Sequence, residues 1–246
     1  MSRYDFAAQR LFVDTPLKVG TRHELDRAQA NYLLNVLRMG DGAELIIFNG
    51  VDGEWRARVE ATGRKSAYLI AHTLERVQDE PCDLHYLFAP IKHARLDFMV
   101  EKAVEMGASV LRPIITRRTQ SARVNLERMR ANAIEACEQC GIMSLPSIEP
   151  EQKFDAFVAS FPKDRLLVFC DEDAPVKDPI EALKAAPKLP VSVLIGPEGG
   201  FDDNERAQLL ALPNVLRVAL GPRILRADTA AIAALSAVQA AVGDWR

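Results

Sequence analysis

PVSVLIGPEGGFDDNERAQLLALPNVLRVALGPRILRAD, residues 190–228, holds two apolar runs, Val191–Ile195 and Val215–Leu220, each stopping at a Gly-Pro pair, Gly196-Pro197 and Gly221-Pro222. Each pair leads into a helical pattern. A strand that ends in a Gly/Pro loop and hands over to a helix presents backbone N–H groups at the carboxyl edge of a sheet, where open α/β folds bind ligands. Two such loops in succession predict one cleft. Gly199 and Gly200 allow a ligand to approach the main chain. Asp202, with Glu205 three positions on, reads as a capping box that opens the next helix. Two ordinary βα turns would give the same pattern, so spacing alone leaves both readings open. The stretch has no G-x-G-x-x-G and the chain has no G-x-x-x-x-G-K-[ST], which argues against the usual dinucleotide and P-loop sites.

Upstream, residues 1–76 read mostly as short strands. Arg10–Val13, Ala43–Phe48, Glu54–Ala61 and Ala67–Leu74 are the expected strands, with a helical stretch over Asp26–Met39 that stops at Gly40. Asn49–Gly53 and Gly63–Ser66 separate the later strands. Trp55, Ala57, Val59 and Ala61 alternate with Arg56, Arg58 and Glu60, as in a half-buried strand, so this part is expected to be a small β-barrel. A boundary falls near Gln78–Pro81, and residues 82–246 change to strand and helix in alternation. Leu84–Ala89, Val110–Ile115 and Leu166–Cys170 are predicted strands, and Arg95–Met106 and Leu126–Cys140 are predicted helices. With the two strands of the opening stretch this gives a mostly parallel sheet covered on both faces, an α/β domain. The last helix, Thr229–Val242, has seven alanines in fourteen residues, which suits a crowded position.

At 246 residues the chain can bury a substantial core, and its 26% charged and 48% apolar residues are ordinary for a soluble protein. It has no apolar run long enough for a membrane span and no apolar core of a signal peptide, so the expected address is the cytoplasm, with its cysteines reduced. Cys137-x-x-Cys140 has no second pair and falls in a helix, so it reads as packing and no metal is expected. The net charge of −3 is unevenly spread. Residues 92–130 carry nine basic side chains against four acidic ones, a candidate footprint for a polyanion, although a solvated helix face would look the same.

LIGPEGG at 194–200 followed by LGPRILRADTAA at 220–231 resembles the paired signature of the SPOUT methyltransferases, most closely the 16S rRNA uridine-N3 methyltransferases. Val36–Met39, Lys92–Gly107 and Ala136–Gly141 add to the likeness. The resemblance implies a PUA-like barrel followed by an α/β domain with a trefoil knot, a homodimer, and S-adenosyl-L-methionine as cofactor. Knots are otherwise nearly absent from proteins. It also implies methylation at N3 of one uridine of 16S rRNA, the 1498 site in the usual bacterial numbering, with the rRNA or the 30S subunit as partner. The cofactor would lie against Leu194, Ile195, Gly196, Pro197, Glu198, Gly199, Gly200, Leu220, Gly221, Ile224, Leu225, Arg226, Thr229 and Ala230.

Within that reading, Arg226 is the candidate for stabilising charge on the uracil oxygens, and Asp228 or Glu198 the candidate base. Asp228 could equally cap the last helix, Glu198 satisfy loop amides and Arg226 bind phosphate. Related proteins usually have Glu where Asp228 stands. Arg10 and Arg38 on the barrel, with Lys92, Arg95, Lys102, Arg117 and Arg118, are the expected RNA contacts. Competing expectations are a SPOUT enzyme for another RNA, or a non-catalytic RNA-binding or ribosome assembly factor.

Overall fold

The computed structural model describes residues 7–63, 66–120, 123–175 and 178–245, so the turn expected at Arg64-Lys65 lies outside the described residues. The chain divides into two compact units, Met1–Glu80 with Cys137–Leu145, and Pro81–Ala136 with Pro146–Arg246.

In the first unit, β1 (Arg10–Phe12), β2 (Arg22–Glu24), β3 (Glu44–Phe48), β4 (Glu54–Gly63) and β5 (Ser66–Arg76) form one sheet in the order β1-β3-β4-β5-β2. The β1–β3 pair is parallel and the other pairs are antiparallel. The alternation read in β4 holds over Trp55–Glu60, where Trp55, Ala57 and Val59 are buried with Leu45, Ile47, Leu69 and Ala71 while Arg58 and Glu60 face out, but Ala61, expected on the buried side, is exposed. The helix expected over Asp26–Met39 is shorter and changes pitch. An Asp26–Gln29 capping box starts α1 (Arg27–Ala30), and a wider π-helical run follows over Asn31–Val36. That run buries Leu33 and leaves Val36 exposed, and Arg38 closes it in the left-handed region at φ 56°.

The second unit is built on a fully parallel sheet. Its strands β6 (Leu84–Phe88), β7 (Val110–Ile115), β8 (Ser147–Ile148), β10 (Leu166–Cys170), β11 (Val191–Ile195) and β12 (Val215–Val218) lie in the order β12-β10-β11-β6-β7-β8, and β9 (Gln152–Lys153) also pairs with β7. Parallel strands buried on both sides read as continuous apolar runs, which is why LLVFC and VSVLI were legible. On one face, Leu87, Leu167, Phe169 and Leu194 pack with Phe154 and Phe157 of α4 (Phe154–Ser160) and Leu209 of α6 (Asp203–Leu210). On α7 (Ala227–Ala241), the alanine-rich helix, Ala231, Ala234, Leu235 and Val238 are buried, and the helix packs against β11, α2 (His93–Glu105) and α5 (Pro179–Ala185). Asp97 of α2 pairs with Arg128 and Asn132 of α3 (Leu126–Cys140).

Candidate active site

The strand order decides which edge the two Gly-Pro corners share. β11 and β12 are both parallel neighbours of β10, so Gly196-Pro197 and Gly221-Pro222 leave the same carboxyl edge, one on either side of Cys170-Asp171. A cavity of about 150 Å³ opens there, lined by Cys170, Asp171, Glu172, Leu220–Leu225 and Ala230. It joins an apolar lining to main-chain groups of a strand end and of a helix start, the mixture that suits a heteroaromatic ligand with a few polar edges.

The first corner is shaped by one close approach. A β-carbon on Gly196 would lie 2.5 Å from the Phe201 ring, so a side chain there would have to push that ring aside. Pro197 to Gly200 then form a tight turn in which the Gly200 amide donates to the Pro197 carbonyl at 2.9 Å, with Gly200 at φ +66°. The expected capping box is present: the Glu205 amide donates to Asp202 Oδ1 (2.8 Å) and the Asp202 amide to Glu205 Oε2 (3.1 Å). The Glu205 amide, aided by the Arg117 guanidinium and opposed by desolvation, holds the Asp202 carboxyl below its ordinary pKa.

Three basic residues expected to face RNA converge on this corner. Arg95, in the first turn of α2, places Nη1 2.9 Å from Glu198 Oε1 and Nε 3.9 Å from Asp228 Oδ2. The Arg117 amide donates to Glu205 Oε1 (2.8 Å) while its Nη1 donates to Asp202 Oδ2 (3.2 Å). Arg118 Nη1 donates to the Gly199 carbonyl at 2.7 Å. Asp228, in the first turn of α7, accepts from the Thr229 amide at 2.8 Å, so it satisfies a helix-start amide and also faces Arg95. The N-cap of α7 is Arg226, whose exposed side chain makes no cap bond. Beside it in the second corner, Ile224 is 90% exposed.

The remaining expected RNA contacts stand apart. Lys92 is exposed at the start of α2, and Lys102 lies over the Phe98 ring and pairs with Glu105. Arg38 is exposed at the end of the π-helical run. Arg10 corrects the expectation made for it: it is 4% exposed and its guanidinium is engaged by Glu54, which Arg76 also pairs with, inside the first unit. The sequence around β1 gave no hint of this, because the buried partner is 44 positions away.

Sequence reading also missed the floor of the cavity. Cys170 ends β10, the strand between the two corners, with Asp171 just beyond it, and burial pushes the Cys170 thiol up to about 12. Asp171 is buried and takes Arg217 Nε at 2.8 Å and Arg206 Nε at 3.1 Å, so two guanidiniums fix the strand end. Nothing local marks that aspartate, since its role comes from strands that pair only in the folded sheet. Asp171, Glu172 and Asp173 form the one cluster of potential metal-ligand atoms among the described residues, but the two arginines already engage its buried member.

Comparison with known proteins places these features in context. Residues 78–239 match the RNA methyltransferase domain family, and residues 25–71 match the RNA methyltransferase PUA domain family. The ribosomal RNA small subunit methyltransferase E of Rickettsia conorii is 28% identical over 94% of each chain. A crystal structure of ribosomal RNA small subunit methyltransferase E from Neisseria gonorrhoeae, bound to S-adenosyl methionine, superposes with a TM-score of 0.86 at 26% identity, covering 97% of this chain and 100% of that one. A methyltransferase from Legionella pneumophila, in complex with the same cofactor, is 30% identical with a TM-score of 0.80 over 95% of this chain and 98% of that one.

Proposed function

This chain belongs to the RNA methyltransferase family, and on that premise we propose that it uses S-adenosyl-L-methionine to methylate N3 of a single uridine, position 1498, in the 16S rRNA of the small ribosomal subunit. The observation that carries the proposal is a cavity lined by the second Gly-Pro corner and the end of β10, at the carboxyl edge from which both corners leave the sheet.

The residues present fit the cofactor. The apolar backbone of Leu220-Gly221 and Ile224-Leu225, with Ala230 at the helix start, would hold its adenine, and the Leu194–Gly200 corner would approach its polar end. Thr229, exposed at the start of α7, lies within reach of the same edge. The bound cofactor supplies an electrophilic methyl group on a sulfonium. What the protein adds is alignment: a uracil N3 held in line with that methyl replaces a bimolecular encounter. Arg226, exposed and permanently charged, is assigned to the uracil oxygen on which charge develops. Glu198 or Asp228 is assigned as the candidate base for the N3 proton, with Arg95 Nη1 2.9 Å from the first and its Nε 3.9 Å from the second.

Residues 1–76 act in this reading as the RNA-holding barrel and residues 82–246 as the methyltransferase domain, working as a cytoplasmic homodimer without a metal. The same reading keeps the trefoil knot. It is supported by the seating of β11 between β10 and β6, and by the return of the chain from β12 to pack α7 against β11 and α2.

The deciding experiment incubates the purified protein and S-adenosylmethionine with 30S subunits, or with 16S rRNA, from a strain lacking the modification, followed by nucleoside mass spectrometry. 3-Methyluridine at one position is expected. A different methylated nucleoside would redirect the substrate to another RNA base, and binding of RNA without any methyl transfer would favour an assembly factor.

A further inference from the structure

Arg117 and Arg118 follow β7, on the far side of β6 from the first Gly-Pro corner, yet both reach that corner. Each uses a single side-chain hydrogen bond to do so, Arg117 to Asp202 and Arg118 to the Gly199 carbonyl. A guanidinium carries five N–H donors, and Arg117 remains 79% exposed, so most of the donor fork on each points to solvent. The acceptor on Arg118 is a neutral carbonyl, so among the described residues its charge has no ion-pair partner. The Arg117 main chain is tied separately, through its amide to buried Glu205, so the side chain can re-aim while the loop backbone stays in place.

We infer that Arg117 and Arg118 couple the RNA backbone to the cofactor loop: phosphates docking on their free donors fix the two side chains and, through Gly199 and Asp202, order the Pro197–Asp202 corner and tighten cofactor binding. The inference rests on the proposed function, because it needs both ligands. The physical route is conformational entropy. An arginine pinned by a phosphate no longer has to be ordered when the cofactor arrives, and the second ligand then binds more tightly. By linkage, the cofactor raises RNA affinity by the same factor. Arg117 and Arg118 are positioning residues in this scheme and touch no reacting atom.

The test is calorimetric titration of S-adenosylmethionine into the protein, alone and with a saturating mixed-sequence RNA oligonucleotide at low salt. Wild-type protein is expected to bind the cofactor about fivefold or more tightly with RNA present, and the gain should fade as salt rises. In Arg117→Ala/Arg118→Ala the two cofactor affinities should become equal, whatever their absolute value, while Arg118→Lys alone keeps part of the gain. A thermal melt confirms that the double variant is folded. Equal affinities in the wild type when both ligands bind, or an undiminished gain in the double variant, would overturn the coupling alone. No cofactor binding under either condition would overturn the proposed function and this inference with it.

Discussion

Arg95 Nη1 lies 2.9 Å from Glu198 Oε1, joining the first turn of α2 to the first glycine corner, and its Nε faces Asp228 at the start of α7. The two carboxylates, 30 positions apart in sequence, are brought together by a cation that the sequence placed with the RNA contacts. Arg95 therefore serves the first corner as well as any RNA contact, and Arg95 and Arg38 variants separate the two roles.

Arg95→Ala should weaken S-adenosylmethionine binding about two- to fivefold. The magnitude follows from a partly exposed ion pair worth up to about 1 kcal/mol. Arg38→Ala, remote from the corner, should leave cofactor affinity unchanged, lower RNA affinity and reduce the salt dependence of RNA binding by about one phosphate contact. Calorimetry with each ligand distinguishes the two, and an RNA effect equal in both variants would argue against the division.

Gly196→Ala forces a methyl group into the Phe201 ring and should cost about 1–3 kcal/mol in urea unfolding. It should also displace the Pro197–Gly200 turn, so cofactor affinity falls together with stability. Trimming the ring in Gly196→Ala/Phe201→Leu should recover stability relative to the single variant. Without such recovery the clash would not be the cause.

Arg10→Met should lower stability without altering RNA affinity or its salt slope, because the guanidinium is buried against Glu54. Glu54→Ala should be worse, about 3–5 kcal/mol, since it strips the carboxylate from a buried cation. Denaturant melts and filter binding at several salt concentrations check the pair. A loss of RNA binding with unchanged stability would return Arg10 to the RNA surface.

Burial pushes the Cys137 thiol up from 9.0 to about 12. The folded state therefore keeps a proton that the unfolded chain gives up. This group leaves stability flat below pH 9 and erodes it by about 1.4 kcal/mol per pH unit between pH 9 and 12. Cys137→Ala should flatten that alkaline slope even though its baseline stability is lower. At pH 8, iodoacetamide should label exposed Cys140 well before Cys137, which mass spectrometry of the labelled peptides would resolve.

Much of the second unit was legible because its signals are local. The apolar runs of β10 and β11, the Asp202–Glu205 capping box and the helix over Leu126–Cys140 each depend on residues within a turn or two of one another. Short elements escaped for the opposite reason. β2 has only three residues, and α4 and α5 have seven each, too few for a period to stand out. The π-helical run escaped because its widened pitch satisfies Leu33 rather than the 3.6-residue repeat. The placement of Cys137–Leu145 with the first unit had no sequence signature at all.

Taken alone, the sequence determined the longer strands, where the chain changes from barrel to α/β rhythm, and that two glycine-proline corners end strands, since backbone sterics and apolar periodicity act between near neighbours. Only the tertiary structure decided that β10 separates those corners, that Cys170 and Asp171 line a cavity with the second of them, that Arg95, Arg117 and Arg118 hold the first corner, and that Arg10 is inside. Those relationships are set by which strands pair and which faces pack, and the free energy that fixes them is shared among residues tens of positions apart.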